Sequence, residues 1–292
     1  METRIANIAF VAFVAFVTHP APVNASPRQK WTENSIIFQS IMNIKMTKTT
    51  QSTAQLLVTC MVDAIYPQVG TAVKSILNKN GCEMKFPRQQ TCCGQPAFNA
   101  GFLKQARAIA RHTIDVFTNT AGPVVVPSGS CTDMIVHHYP ELLKSDPVYS
   151  LKAKKLSERT FEFTQFLVDK LGLTNIGANY NGRATYHPCC HGLRNLNLVR
   201  QPSTLLDNVK DLEQVALPCA EDCCGFGGLF SLRMSEISGA MLDKKLNHVE
   251  ESGANVLIAG DVGCIMHMKG GLRRRGSNIQ VKHIAEILND CH

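Results

Sequence analysis

The sequence predicts an α/β protein built from two homologous halves, each a parallel sheet flanked by helices. Three observations lead there. Cys60, Cys92, Cys93 and Cys131 recur as Cys190, Cys223, Cys224 and Cys264 at offsets of 130, 131, 131 and 133 residues. Four positions keeping register to within three residues mark an internal duplication. The surroundings repeat as well: Phe86-Pro87 and Leu217-Pro218 precede the double cysteines by the same interval, and Gly94 and Gly225 follow them. Short apolar runs alternate with longer amphipathic stretches in each half, the pattern of strand–helix units with parallel strands.

Taken in order, the chain opens with an apolar run, Ile5 to Val17, that ends in small residues and Val23-Asn24-Ala25, a stretch like a signal-peptidase site. Against export, the run is preceded only by Arg4 set against Glu2, Ser26 to Lys45 has no clear periodicity, and Met42 and Met46 stand just before the first strand. Residues 1–45 are therefore read as an extension outside the functional fold. A run of this length is too short to span a bilayer, so the expectation is a cytoplasmic protein with no transmembrane segment.

The first domain is expected over residues 54–150. Leu56-Leu57-Val58 forms a strand running into Cys60, Val124-Val125-Val126 one running toward Cys131, and helices cover 67–79, 97–119 and 131–144. Residues 151–182 read as a connector: a helix over 152–172 carrying Phe161, Phe163, Phe166 and Leu167, then a polar Gly/Asn segment, Gly177 to Gly182. The second domain, 183–292, has strands at Ala184-Thr185-Tyr186 and Val256-Leu257-Ile258, leading to Cys190 and Cys264, and helices at 202–209, 232–252 and 280–290. The cysteines thus follow the carboxyl ends of strands. Open parallel sheets bind ligands there, because strand-to-helix loops converge and helix amino termini aim N–H groups at the site.

Composition narrows the chemistry. With 292 residues, 45% of them hydrophobic, the chain buries a core without disulfide staples. A net charge of +7 without long Lys/Arg tracts argues against nucleic acid and leaves room for an acidic protein partner or an anionic substrate. Arg273-Arg274-Arg275, between Gly271 and Gly276, reads as a solvated turn. Twelve cysteines in a chain with an adequate core point to metal binding or catalysis.

Thiolates are soft ligands suited to iron–sulfur clusters or zinc, and four per half fill either kind of site. Adjacency separates the two. Structural zinc sites favour Cys-x2-4-Cys, a spacing that folds two sulfurs back onto one ion. Neighbours such as Cys92 and Cys93 point apart, which strains a single small ion, whereas a cluster several ångströms wide offers each thiolate a different iron. Gly94 and Gly225 let the backbone pass close and reach conformations barred to other residues. Gly225-Phe226-Gly227-Gly228 lacks the Gly-x-Gly-x-x-Gly order of a nucleotide loop.

The spacings Cys-x31-Cys-Cys-Gly-x36-Cys and Cys-x32-Cys-Cys-Gly-x38-Cys resemble the cysteine-rich CCG domain of heterodisulfide reductase B subunits and of the iron–sulfur subunits of glycolate and glycerol-3-phosphate dehydrogenases. Val58-Thr59-Cys60, Cys92-Cys93-Gly94-Gln95-Pro96, Gly129-Ser130-Cys131, Tyr186-His187-Pro188, Cys223-Cys224-Gly225-Phe226-Gly227-Gly228 and Ala285-Glu286 resemble the lactate-utilisation protein A family, from about residue 54 onward. The resemblance implies two Rossmann-like CCG domains and a part in oxidising L-lactate to pyruvate, with companion iron–sulfur proteins and an electron carrier as partners. It implies iron–sulfur ligation by Cys60, Cys92, Cys93 and Cys131 in one half and by Cys190, Cys223, Cys224 and Cys264 in the other. The fuller CCG pattern ends in Cys-x2-Cys. Here Thr132-Asp133-Met134 follows Cys131 and Ile265-Met266-His267 follows Cys264, leaving each half one thiolate short. One four-iron four-sulfur cluster per half is expected, with the family's five-cysteine cluster as the alternative.

Cys82, Cys189, Cys219 and Cys291 have no mates across the repeat. Cys82 reads as a core thiol and Cys291 as a terminal one, while Cys189 is able to exchange with Cys190. His187, His191 and His267 neighbour the expected ligands and read as hydrogen-bonding groups, with His187 the strongest exception. The leading function is an iron–sulfur electron-transfer subunit, non-catalytic or co-catalytic in a lactate oxidoreductase. The alternatives are a subunit reducing a disulfide at its cluster and a zinc-stabilised scaffold or thiol redox protein.

Overall fold

The computed structural model describes residues 52–290. The N-terminal extension and Cys291 lie outside the described residues. Two four-stranded sheets make up the fold. The first has the order β2-β1-β3-β4, with β1 Ser52–Leu56, β2 Cys82–Lys85, β3 Val124–Val126 and β4 Thr160–Glu162. The second has the order β6-β5-β7-β8, with β5 Asn179–His187, β6 Lys210–Gln214, β7 Val256–Ala259 and β8 Gln280–His283. Every pairing is parallel and the strand order is the same in both sheets, so the cysteine repeat is a repeat of structure.

The inner strands β3 and β7 are buried at every residue. They are the continuous apolar runs that a sheet covered on both faces requires. At β1 the ladder reaches beyond Leu56, since Leu57 N–H donates to Val125 O at 3.0 Å. The chain then turns into the helix Cys60–Ile65, where the Thr59 hydroxyl accepts from Val62 N–H at 3.3 Å. Pro67–Lys79 is helical as expected, with proline at its first position, where no N–H is needed.

Elsewhere the structure departs from expectation for local reasons. The helix expected over 97–119 is two, Gln95–Asn99 and Leu103–Thr118, broken at Gly101 with φ +81°. Ser128 caps the next one two residues early, at Gly129, and it widens into a π turn over Met134–His138. The helix expected over 152–172 is interrupted: Tyr149–Glu158 is helical, but β4 then pairs with Val124–Val126 at the edge of the first sheet. Thr160 and Glu162 point inward around the half-exposed Phe161, a two-residue alternation embedded in a helical pattern. Part of the expected connector is thus woven into the first sheet. In the second half, β8 takes the first residues of the expected helix 280–290, leaving Ile284–Leu288. The helix Val262–Arg274 was not anticipated. All three arginines are exposed and Arg275-Gly276 is a turn, as read, but Arg273 and Arg274 belong to the last turn of this helix, facing the negative end of its dipole. Arg275 pairs with Asp243 at 3.0 Å and Glu250 at 2.9 Å.

One buried cluster runs through both halves, joining Leu56, Val73 and Leu77 to Leu257, Ile284 and Ile287. A second, around Phe117, Ile135 and Tyr139, belongs to the first half. The loops after β3 and β7 meet: Ser128 Oγ donates to Asp261 Oδ2 at 2.8 Å and Ser130 N–H to the same oxygen at 3.0 Å. A Cβ on Gly129 would stand 3.1 Å from Gly192 N, so backbone from the two halves touches there. No described helix is long and apolar enough to cross a membrane.

Candidate metal centres

Each half delivers its four cysteines from three loops at the carboxyl edge of its sheet. Cys60 begins the helix after β1. Cys92 and Cys93 end the loop from β2, and Cys131 lies in the first turn after β3. Cys60 Sγ stands 3.6 Å from Cys92 Sγ, and Cys93 Sγ stands 3.2 Å from Cys131 Sγ. In the second half Cys190, Cys223, Cys224 and Cys264 come from the matching loops after β5, β6 and β7. All eight line one cleft of about 130 Å³, together with Cys189. A single water needs about 10–15 Å³ of such space, so this cleft is on the scale of a multi-atom group.

The two double cysteines are held alike. Gly94 N–H donates to Cys92 Sγ at 3.4 Å and Gly225 N–H to Cys223 Sγ at 3.3 Å. Both glycines sit at positive φ, +84° and +85°. What approaches each is the helix behind it: a Cβ would lie 3.1 Å from the Ile109 side chain at Gly94, and 2.7 Å from Ser238 O at Gly225. The buried Tyr139 hydroxyl donates to Cys93 O at 2.7 Å, and Ser238 Oγ donates to Gly225 O at 2.8 Å. Lys245, buried in the second half, donates to Cys219 O at 3.0 Å and Ala220 O at 2.9 Å, fixing the loop that enters Cys223.

The electrostatics repeat too. Hydrogen bonds from Cys60 and Cys93 hold the Cys92 thiol pKa well below its ordinary value, and those from Cys190 and Cys224 do the same for Cys223. Their thiol neighbours are pushed up: Cys60 and Cys190 by the bond to the favoured thiolate and by burial, Cys93 also by Cys131. Each set therefore favours one thiolate. Ionising all four in so little space requires a compensating positive charge, and the donor set fits a thiophilic metal group.

The halves are not identical. Cys189, 6% exposed, donates its thiol to His187 O at 3.8 Å and lines the same cleft, giving the second set a fifth thiol. His187 is fully buried, and burial drives its pKa down to about 3, so the ring is neutral. Neither of its ring nitrogens has a hydrogen-bond partner, and a nitrogen of the ring lies with the Cys224 and Cys264 sulfurs inside a 4.8 Å group. His191 instead reaches across the halves: its Nδ1 lies 2.6 Å from the buried Asp133 Oδ2, which also accepts from Asn195 Nδ2 at 2.7 Å. That bond raises the His191 pKa. Burial of Asp133 opposes its ionisation, but hydrogen bonds from His191, Asn195 and His137 outweigh it and hold the carboxyl low. His267 lies 3.4 Å from Ser238 Oγ.

Sequence reasoning placed Cys60, Cys131, Cys190 and Cys264 after strands, as found, but it foresaw neither β2 nor β6, which lead to the double cysteines, and missed what braces them. Ser128 and Asp261 stand at equivalent places, directly after β3 and β7, and each caps the helix that carries a cysteine. A capping residue after an apolar strand was the available signal. Cys82 is buried in β2, and Cys219 is exposed, at φ +46°. Cys219, Asp222 and His248 also gather, but Lys244 Nζ already holds Asp222 Oδ2 at 2.9 Å.

The cysteine-rich domain called CCG matches residues 54–136 and again 184–269. Lactate utilization protein A of Bacillus pumilus (strain SAFR-032) is 50% identical over 234 residues, covering 80% of this chain and 98% of that protein. The protein of the same name from Geobacillus sp. (strain WCH70) is 48% identical over 234 residues, with the same coverage. That from Macrococcus caseolyticus (strain JCSC5402) is 47% identical over 232 residues, covering 80% of this chain and 94% of that protein.

Proposed function

We infer the function from one premise: the chain belongs to the lactate utilization protein A family and carries the cysteine-rich CCG domain twice. On that basis we propose that it is the iron–sulfur electron-transfer subunit of a system that oxidises L-lactate to pyruvate. Cys60, Cys92, Cys93 and Cys131 hold one iron–sulfur cluster of the four-iron four-sulfur type, and Cys190, Cys223, Cys224 and Cys264 hold the other. A cluster bound in each set supplies one-electron storage and release.

The observation that carries this reading is the set of four thiols in each half, built around adjacent cysteines and opening on a single cleft. The protein's own part is to orient and to tune. Gly94 and Gly225 aim N–H groups at Cys92 and Cys223, and hydrogen bonds to ligand sulfur are a lever on potential. Asp261 ties the caps of the two cysteine-bearing helices together, which keeps the two sets on one cleft.

Lactate oxidation removes two electrons, and the sequence has no nucleotide-binding fingerprint with which to accept a hydride. Companion iron–sulfur proteins and a carrier are therefore required, and they supply the catalytic centre. Purified chain with L-lactate and an artificial acceptor is expected to give no turnover, with activity appearing when the companion proteins are added. Sustained lactate oxidation by the isolated, iron-loaded chain would move the catalytic centre into it and overturn the subunit reading.

A further inference from the structure

The two halves differ at one position beside their cysteines. At the offset that carries Cys60 to Cys190, His187 stands where the first half has Leu57. His187 is the last residue of β5 and Leu57 directly follows β1, the corresponding inner strands, and both are 0–1% exposed. Leu57 packs in a cluster that contains Cys93 and Cys131. A ring nitrogen of His187 gathers with Cys224 and Cys264, the repeat equivalents of those two cysteines, inside 4.8 Å. The same place against the same pair of thiols is apolar in one half and a nitrogen donor in the other.

Leucine suffices to fill this space, as the first half demonstrates. An imidazole costs more there, because both of its nitrogens are buried without a hydrogen-bond partner. Native proteins seldom leave such groups unpaired unless they serve a site. Neutral imidazole is a common metal ligand and joins thiolates in mixed iron–sulfur sets. We propose that His187 is a nitrogen ligand of the second centre, which makes that centre a mixed imidazole–thiolate site while the first is held by thiolates alone. The proposal rests on the iron–sulfur reading above. Imidazole ligation raises the potential of an iron–sulfur centre relative to thiolates alone, so the second half is the stronger electron acceptor and electrons run from the first half to the second.

The test uses the full chain prepared anaerobically from cells fed 15N-histidine, with iron and sulfide measured first. Pulsed electron paramagnetic resonance of the reduced protein is expected to find one strongly coupled histidine nitrogen, in one of the two centres. In H187L that coupling disappears and the midpoint potential of the same centre falls, or the second half alone loses its iron, while the first centre is unchanged. Loaded centres with only weak nitrogen coupling overturn the proposal and leave the iron–sulfur reading intact. A strong coupling that survives H187L does the same, assigning the ligand to His191 or His267. A folded protein that takes up no iron refutes both. If H187L does not fold, the coupling is read in H191A and H267A: it is expected to survive both, and its loss in either overturns the proposal.

Discussion

Replacing Gly225 by alanine isolates the packing that sets the second double cysteine. Two penalties add. Gly225 has φ +85°, a conformation that costs a side-chain-bearing residue about 1–3 kcal/mol. Its Cβ would also stand 2.7 Å from Ser238 O and 3.0 Å from Met241 Cβ, and an overpacked site costs about 1–3 kcal/mol more because a helix backbone must shift. A total near 3 kcal/mol lowers Tm by roughly 6–12 °C in a chain of this size. The same shift disturbs the Gly225 N–H bond to Cys223, so iron in the second half should fall with it. Gly228→Ala is the internal control: its φ is +62° but nothing lies within 4 Å of the added atom, so only the conformational penalty applies. Thermal unfolding of the anaerobic proteins, with iron analysis, reads both effects. The reasoning is refuted if G225A melts no lower than G228A.

Cys93→Ser should lose iron from the first half only and Cys224→Ser from the second only, because each ligand set is built from its own repeat. Iron analysis on the folded variants checks this, and emptying both halves by either change would contradict the two-centre arrangement. Asp261→Ala strips the acceptor from Ser128 Oγ, Ser130 N–H and Gly263 N–H, and should cost about 3 kcal/mol in denaturant unfolding, with Asp261→Asn costing less because one carbonyl oxygen remains. Burial pushes Glu162 up to about 7 from 4.5. The folded chain then keeps a proton that the unfolded chain releases, so this contribution to stability is whole below pH 4.5 and is lost as pH rises toward 7, by roughly 3 kcal/mol. Unfolding titrations should find that slope in the wild type and lose it in Glu162→Gln, and an unchanged slope would assign it to other groups.

Much of this was legible because cysteine spacing and strand patterning are local signals. Val124-Val125-Val126 and Val256-Leu257-Ile258 announced buried parallel strands, and the offsets between cysteines announced the duplication. What stayed hidden depends on the meeting of distant segments. β4 is three residues long and owes its existence to Val124–Val126 beside it. Asp261 bonds to Ser128 and Ser130, and Asp133 to His191, only because the two halves dock. Gly94 and Gly225 were rightly singled out, but the close approach they allow is to the helices behind them. The exposed Cys219 at positive φ has no counterpart across the repeat, and nothing in its spacing foretold that conformation.

The central claim is that these thiols hold iron–sulfur clusters, and elemental analysis of the anaerobically purified chain tests it most directly. The account predicts a brown protein with iron and acid-labile sulfide in matched amounts and little zinc. A colourless, folded protein carrying stoichiometric zinc despite adequate iron supply would contradict it.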